Sequence, residues 1–107
     1  MSVEVNTPNH RQQLVGIELL PGDEAEAVLA AAEETNEEIV VERNAAVLIV
    51  QGRGRLHIDP ALVREHLGRD DWAADDLQVI MASYFGFITQ IDEDGIVFEW
   101  LGKAEGN

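Results

Sequence analysis

No cysteine occurs anywhere in the chain, and this absence constrains the fold more than any motif present. Disulfides, thiolate nucleophiles, zinc ribbons and iron–sulfur clusters are excluded together. A domain of 107 residues must then hold itself by apolar packing, at a size where roughly 60–70% of the unfolded surface leaves water on folding. Secreted domains this small commonly need covalent staples, so a cytoplasmic location is expected. Met1 to Gln13 is polar and lacks the basic-then-apolar order of a signal peptide. No apolar run approaches the roughly 20 residues that cross a bilayer.

Charge narrows the partners. Twenty-one acidic residues stand against seven basic ones, for a net charge of -14. Such a surface repels phosphate backbones and anionic lipid, so neither nucleic acid nor membrane is expected as a partner. The same charge keeps a small domain in solution and steers it toward a basic patch on another protein. Charge alone leaves both readings open.

Periodicity and punctuation give an α+β fold. Leu14 to Leu20 reads as a strand ended by Pro21-Gly22-Asp23. A helix follows to about Glu34, with Asp23 as N-cap, Glu26 as its capping-box partner, and Val28, Leu29 and Ala32 on one face. Asn36 is expected to close it in a left-handed conformation. Strands at Ile39–Val41, Ala46–Val50 and Leu56–Ile58 suggest an antiparallel hairpin or meander, with a bend between Gly52 and Gly54. Asp59-Pro60 starts a second helix and Gly68 stops it. Trp72 falls in an acidic loop, and Ala73 to Leu77 can form one further turn. Val79, Met81, Phe85, Phe87 and Ile91 share one parity, which predicts a strand bulged at Gly86. Asp94-Gly95 is a hairpin signature leading to a last strand with Ile96, Phe98 and Trp100. The predicted order is β-α-β-β-β-α-(α)-β-β: one compact domain at 13–102, mostly antiparallel sheet with two to three helices, a flexible arm at 1–12 and a polar tail at 103–107.

The inventory for catalysis is thin. His10, His57 and His66 are not spaced to share a metal. Asp70-Asp71, Asp75-Asp76 and Asp92-Glu93-Asp94 fall in solvated turns, without the apolar cleft that makes a general acid or the ligand order of a calcium loop. Gly52-Arg53-Gly54 is too short for a phosphate loop. Ser2 and Ser83 lie in no nucleophile elbow. No catalytic residue, cofactor site or metal site is expected. Ala82-Ser83-Tyr84-Phe85-Gly86-Phe87 is more informative. In a strand Tyr84 points opposite to Phe85, so one face fills the core and the other can meet a partner. The residues alone leave open whether these rings are core or interface.

An ordered set of segments resembles a known family. His66-Leu67-Gly68-Arg69, the acidic stretch to Leu77, Met81-Ala82-Ser83-Tyr84-Phe85-Gly86, Asp92-Glu93-Asp94 and the final aromatic strand are similar to the effector, or coupling, proteins of soluble diiron monooxygenases. The likeness covers roughly residues 14–101 and looks closest to the toluene and alkene or isoprene branch. The resemblance implies a cofactor-free regulatory protein that is not an enzyme; a monomer is expected when it is free, because no long apolar edge is obvious. It binds the diiron hydroxylase component and promotes O2-dependent, NADH-coupled hydroxylation or epoxidation of an alkene or aromatic hydrocarbon. It implies partner contacts at Asn36, Ser83, Tyr84, Phe85 and Gly86. It also implies that Asn36→Ala and bulky changes at Gly86 weaken activation without unfolding the domain. The proline that follows the asparagine in several relatives is replaced here by Glu37. The alternative is a stand-alone acidic adaptor or inhibitor that shares only the fold.

Overall fold

The computed structural model describes residues 13–100. The expected arm at 1–12, with His10, and the tail at 103–107 lie outside the described residues. The elements run β1 Leu14–Leu19, α1 Asp23–Thr35, β2 Val40–Arg43, β3 Leu48–Arg53, β4 Arg55–Ile58, α2 Pro60–Leu67, α3 Ala74–Ile80, β5 Met81–Phe85, β6 Phe87–Asp92 and β7 Gly95–Glu99. They make two antiparallel sheets, one ordered β2-β3-β1-β5 and the other β4-β7-β6. The α+β class and the antiparallel character are as expected.

Two single glycines carry the chain between the sheets. β3 ends at Arg53 and β4 begins at Arg55, so Gly54 alone makes the crossing; Gly86 does the same between β5 and β6. Both have positive φ, 77° and 100°, a region that L side chains enter only at a cost. The expected meander therefore stops after the β2–β3 hairpin, and the single strand expected over Val79–Ile91 is two strands in different sheets.

Alternation along the strands builds the core. Val15, Ile17 and Leu19 of β1 share a face with Leu48 and Val50 of β3. In the second sheet Leu56 and Ile58 stand opposite Phe98 and Ile96. Helix α1 adds Ala25, Val28, Leu29 and Ala32, α2 adds Val63, and α3 adds Leu77. Trp72, from the acidic loop, is 1% exposed, so a loop residue supplies the largest buried side chain. Each large apolar side chain removed from water contributes about 1.5–3 kcal/mol.

Helix ends separate local from distant control. For α2, Asp59 accepts from the Ala61 N–H at 2.9 Å and Gly68 is left-handed, as the sequence predicts. For α1 the N-cap is Gly22, with no side-chain bond, and Asp23 is already helical. The turn after Pro21 sets Asp23 one place too far in to cap, so with Glu24 and Glu26 it acts as charge at the positive helix end. Helix α3 runs on to Ile80 and takes in Val79. The Glu93 carboxylate accepts from the Ala74 N–H at 3.2 Å, and Arg64 binds both Glu93 and the Trp72 carbonyl, at 3.1 and 2.8 Å. That support comes from a hairpin 19 residues downstream.

Two register shifts overturn the expected parity. One lies between Glu18 and Leu19 against β5, the other between Ile88 and Gln90 against β7. An extra residue flips every side chain beyond it. Met81 and Tyr84 therefore stand opposite core-facing Leu19 and Ile17, while Phe85 stands opposite Gly16 on the other face. Ile88 and Ile91 face inward and Phe87 outward. The hairpin loop is Glu93-Asp94 rather than Asp94-Gly95, because Asp92 pairs with Gly95. The Asp92 Oδ1 holds it by accepting from the N–H groups of Asp94 and Gly95, at 2.8 and 3.2 Å.

A Cβ at Gly86 would lie 2.7 Å from Val15 Cγ1, whereas one at Gly54 meets nothing within 4 Å. Gly86→Ala is therefore expected to cost about 2–4 kcal/mol and Gly54→Ala about 1 kcal/mol. Thermal unfolding should show the Gly86 variant falling by roughly 10 °C or more. Hydrogen bonds from Gln90 and from the Asp94 and Gly95 N–H groups hold the Asp92 carboxyl below its ordinary range. A depressed folded pKa contributes stability that is present above the unfolded value and lost as pH falls through the folded one. Asp92→Ala should thus lower the Tm at neutral pH, and its gap to the parent should narrow below about pH 4.

Candidate functional site

The two described histidines, His57 and His66, lie on different elements, β4 and α2. No group of three or more His, Cys, Asp or Glu among the described residues is placed to hold a metal ion. His57 points opposite to Leu56 and Ile58, over Gly95, and His66 Nε2 contacts Glu34 Oε2 at 2.5 Å across α1 and α2. The groove between those helices encloses about 450 Å³ over Ala27, Ala30 and Leu67. Its rim carboxylates Glu26 and Glu24 face Arg43 and Arg69, at 2.6 and 3.7 Å. Arg43 holds the Glu26 carboxyl below its ordinary range, and Arg69 does the same to Asp71. A general acid needs the opposite shift, by burial in an apolar cleft.

Charge is distributed unevenly. All five described arginines are in ion pairs: Arg43 with Glu26, Arg53 with Glu38, Arg55 with Glu99, Arg64 with Glu93, and Arg69 with Glu24 and Asp71. By contrast, Leu77 to Ile91 contains no charged residue. In this stretch Val79 is 75% exposed, Tyr84 47% and Phe87 52%. Strand β5 has a single strand neighbour, β1, so one row of its backbone groups faces outward. An uncharged, aromatic sheet edge on an acidic domain is a surface suited to burial against a partner.

The expected contact residues fall in two places. Ser83 is exposed opposite Glu18, and Phe85 is half-buried opposite Gly16. Tyr84 lies on the core side at the rim, its ring centroid 5.9 Å from that of Phe98 with planes at 49°. Gly86 is the corner itself. Across the four-stranded sheet, one row reads Glu42, Ile49, Glu18, Ser83 and the next Val40, Gln51, Gly16, Phe85.

Asn36 belongs elsewhere. It is extended, φ -118° and ψ 148°, not left-handed. Its Nδ2 donates to the carbonyls of His57 and Ala32, at 2.7 and 2.8 Å, and its Oδ1 accepts from the His57 N–H at 3.0 Å. The side-chain amide thus mimics a neighbouring strand against β4. This pairing draws Asn36 out of the left-handed region, and its partner lies 21 residues away, beyond local sequence signals. Asn36→Ala and bulky changes at Gly86 are each expected to carry a stability cost as well as any effect on activation. Sequence reasoning did not single out Val79 or Phe87 as exposed; the charge-free run from Leu77 to Ile91 was the signal for both.

An α+β domain with an uncharged, aromatic sheet edge is what this geometry defines. Residues 13–99 match the MmoB/DmpM family. The chain belongs to that family, whose members are regulatory, non-catalytic components of multicomponent monooxygenases. Two solved structures of a phenol hydroxylase–regulatory protein complex contain a similar chain. In the first the identity is 28% over 82% of this chain and 99% of that one, with a TM-score of 0.73. In the second the identity is 28% over 82% and 100%, with a TM-score of 0.68. No curated protein matches the sequence. Among the described residues no helix is long and apolar enough to cross a membrane.

Asn36→Ala is expected to lower stability by about 1–2 kcal/mol, since it strips the His57 N–H and carbonyl, both part-buried, of their side-chain partners. Amide hydrogen exchange should show the His57 N–H losing protection more than its neighbours in β7.

Proposed function

We propose that this chain is the effector protein of a multicomponent diiron monooxygenase, and that it binds the hydroxylase component and biases its active site. The observation that carries the reading is the likeness to a chain of a phenol hydroxylase–regulatory protein complex over 99% of that chain's length. The uncharged β5 edge supports it as the contact surface, through Ser83, Tyr84, Phe85 and the Gly86 corner. Asn36 takes part by fixing the loop that follows α1. The system it serves performs O2-dependent, NADH-coupled hydroxylation or epoxidation of an alkene or aromatic hydrocarbon. The chain acts in the cytoplasm and is monomeric when free.

An effector without catalytic groups can change a rate only by binding one hydroxylase conformation more tightly than another. A difference of roughly 3 kcal/mol shifts a conformer ratio by more than a hundredfold.

Adding the purified protein to the matching hydroxylase and reductase should raise product formation, saturating near one effector per active site. NADH consumed per product should fall. Unchanged turnover and unchanged coupling at saturating effector would sink the reading.

A further inference from the structure

We infer that the helix-free face of the four-stranded sheet recognises an amphipathic helix of the partner that carries two basic residues seven positions apart. The inference rests on the effector reading and names what the docking surface selects.

The two faces of this sheet are chemically different. Arg43 points to the helix side, where it pairs with Glu26 of α1 at 2.6 Å. Glu42, its neighbour in β2, therefore points to the other side, as does Glu18. Neither carboxylate has an ion-pair partner among the described residues, although every described arginine is paired. The two acids flank Ile49 directly in one row. Gln51 lies in the adjacent row on the same face, 5% exposed, and its Nε2 is buried without a hydrogen-bond partner among the described residues. A buried amide donor lacking an acceptor is uncommon in a finished interior, and it suits a face completed by another molecule. Phe85 closes that row at the β5 edge.

Spacing selects the occupant. Glu18 and Glu42 sit two strands apart, about 10 Å. Same-side residues on an added strand recur every ~7 Å, which does not match. Residues seven apart on a helix are ~10.5 Å apart on nearly one side, which does. Such a helix lies across the strands, sets its two Lys or Arg side chains on Glu18 and Glu42, and lays the apolar residues between them on Ile49 and toward Phe85. A surface whose guanidinium groups are already committed favours a basic partner and disfavours an acidic one.

The test is calorimetric titration of the full chain into the matching hydroxylase at about 50 and 300 mM salt, where screening differs strongly. E18Q/E42Q is expected to bind roughly five- to tenfold more weakly at the lower salt and to lose most of the salt dependence of the parent. E33Q/E65Q, on the helices, should bind like the parent. Phe85→Ser probes the docking surface itself and should weaken binding at both salt concentrations. If E18Q/E42Q matches the parent while Phe85→Ser does not, this inference falls and the docking reading stands. If the parent does not bind the hydroxylase, both fall. If sedimentation shows the free chain to be a dimer that Phe85→Ser dissolves, a second copy occupies the face and the inference fails. Thermal unfolding of E18Q/E42Q should match the parent, since neither acid makes an internal ion pair.

Discussion

Val15 packs directly over Gly86, with its Cγ1 only 2.7 Å from where a Cβ would stand, and the joining of the two sheets depends on that contact. Strand β1 runs between β3 and β5, so Val15 sits where the first sheet hands the chain to the second. The other corner, Gly54, is held differently. Its N–H donates to the Gln13 carbonyl at 2.8 Å, and its carbonyl accepts from the Trp100 N–H at 3.0 Å. One crossing is thus fixed by side-chain packing and the other by backbone hydrogen bonds from the two ends of the described domain. The position of every aromatic near the corner follows from these constraints. Tyr84 is drawn inward toward Phe98, and Phe85 and Phe87 are turned out on either side of Gly86.

Much of this was legible in the sequence where the controlling interactions are local. Asp59, Pro60 and Gly68 set the limits of α2 within a few residues of themselves, and the structure keeps all three roles. The apolar strands β1, β3 and β7 were likewise readable from alternation. What escaped were features decided at a distance. The start of α3 is held by Glu93 in a later hairpin. The conformation of Asn36 depends on the backbone of His57. The facing of Phe85, Phe87 and Ile88 depends on two one-residue register shifts that leave no composition signal. The candidate surface shows the same division. Ser83 to Gly86 stood out as a segment because it is aromatic and uncharged, but which ring faces solvent could not be deduced from parity once bulges intervene.

The charge pattern ties structure to role. A net charge of -14 could have been spread evenly. Instead the described arginines are all engaged in internal pairs, eight of the acidic residues lie on the three helices, and the β5–β6 corner carries none. Arg43 lowers the Glu26 carboxyl, Arg69 that of Asp71, and hydrogen bonds from Gln90 and the Asp94 and Gly95 N–H groups that of Asp92. Membership of a family of regulatory monooxygenase components is in keeping with such a surface.

The Asn36 amide has one more consequence. Strand β4 is an outer strand of the three-stranded sheet, and outer strands are templates for unwanted pairing between chains. Lysine or proline commonly guards such strands, and β4, Arg55–Ile58, contains neither. Its central residue is instead engaged on its outward side by a side chain that donates and accepts as a peptide group does. One neutral side-chain amide thus occupies the backbone groups through which a second chain would otherwise add a strand.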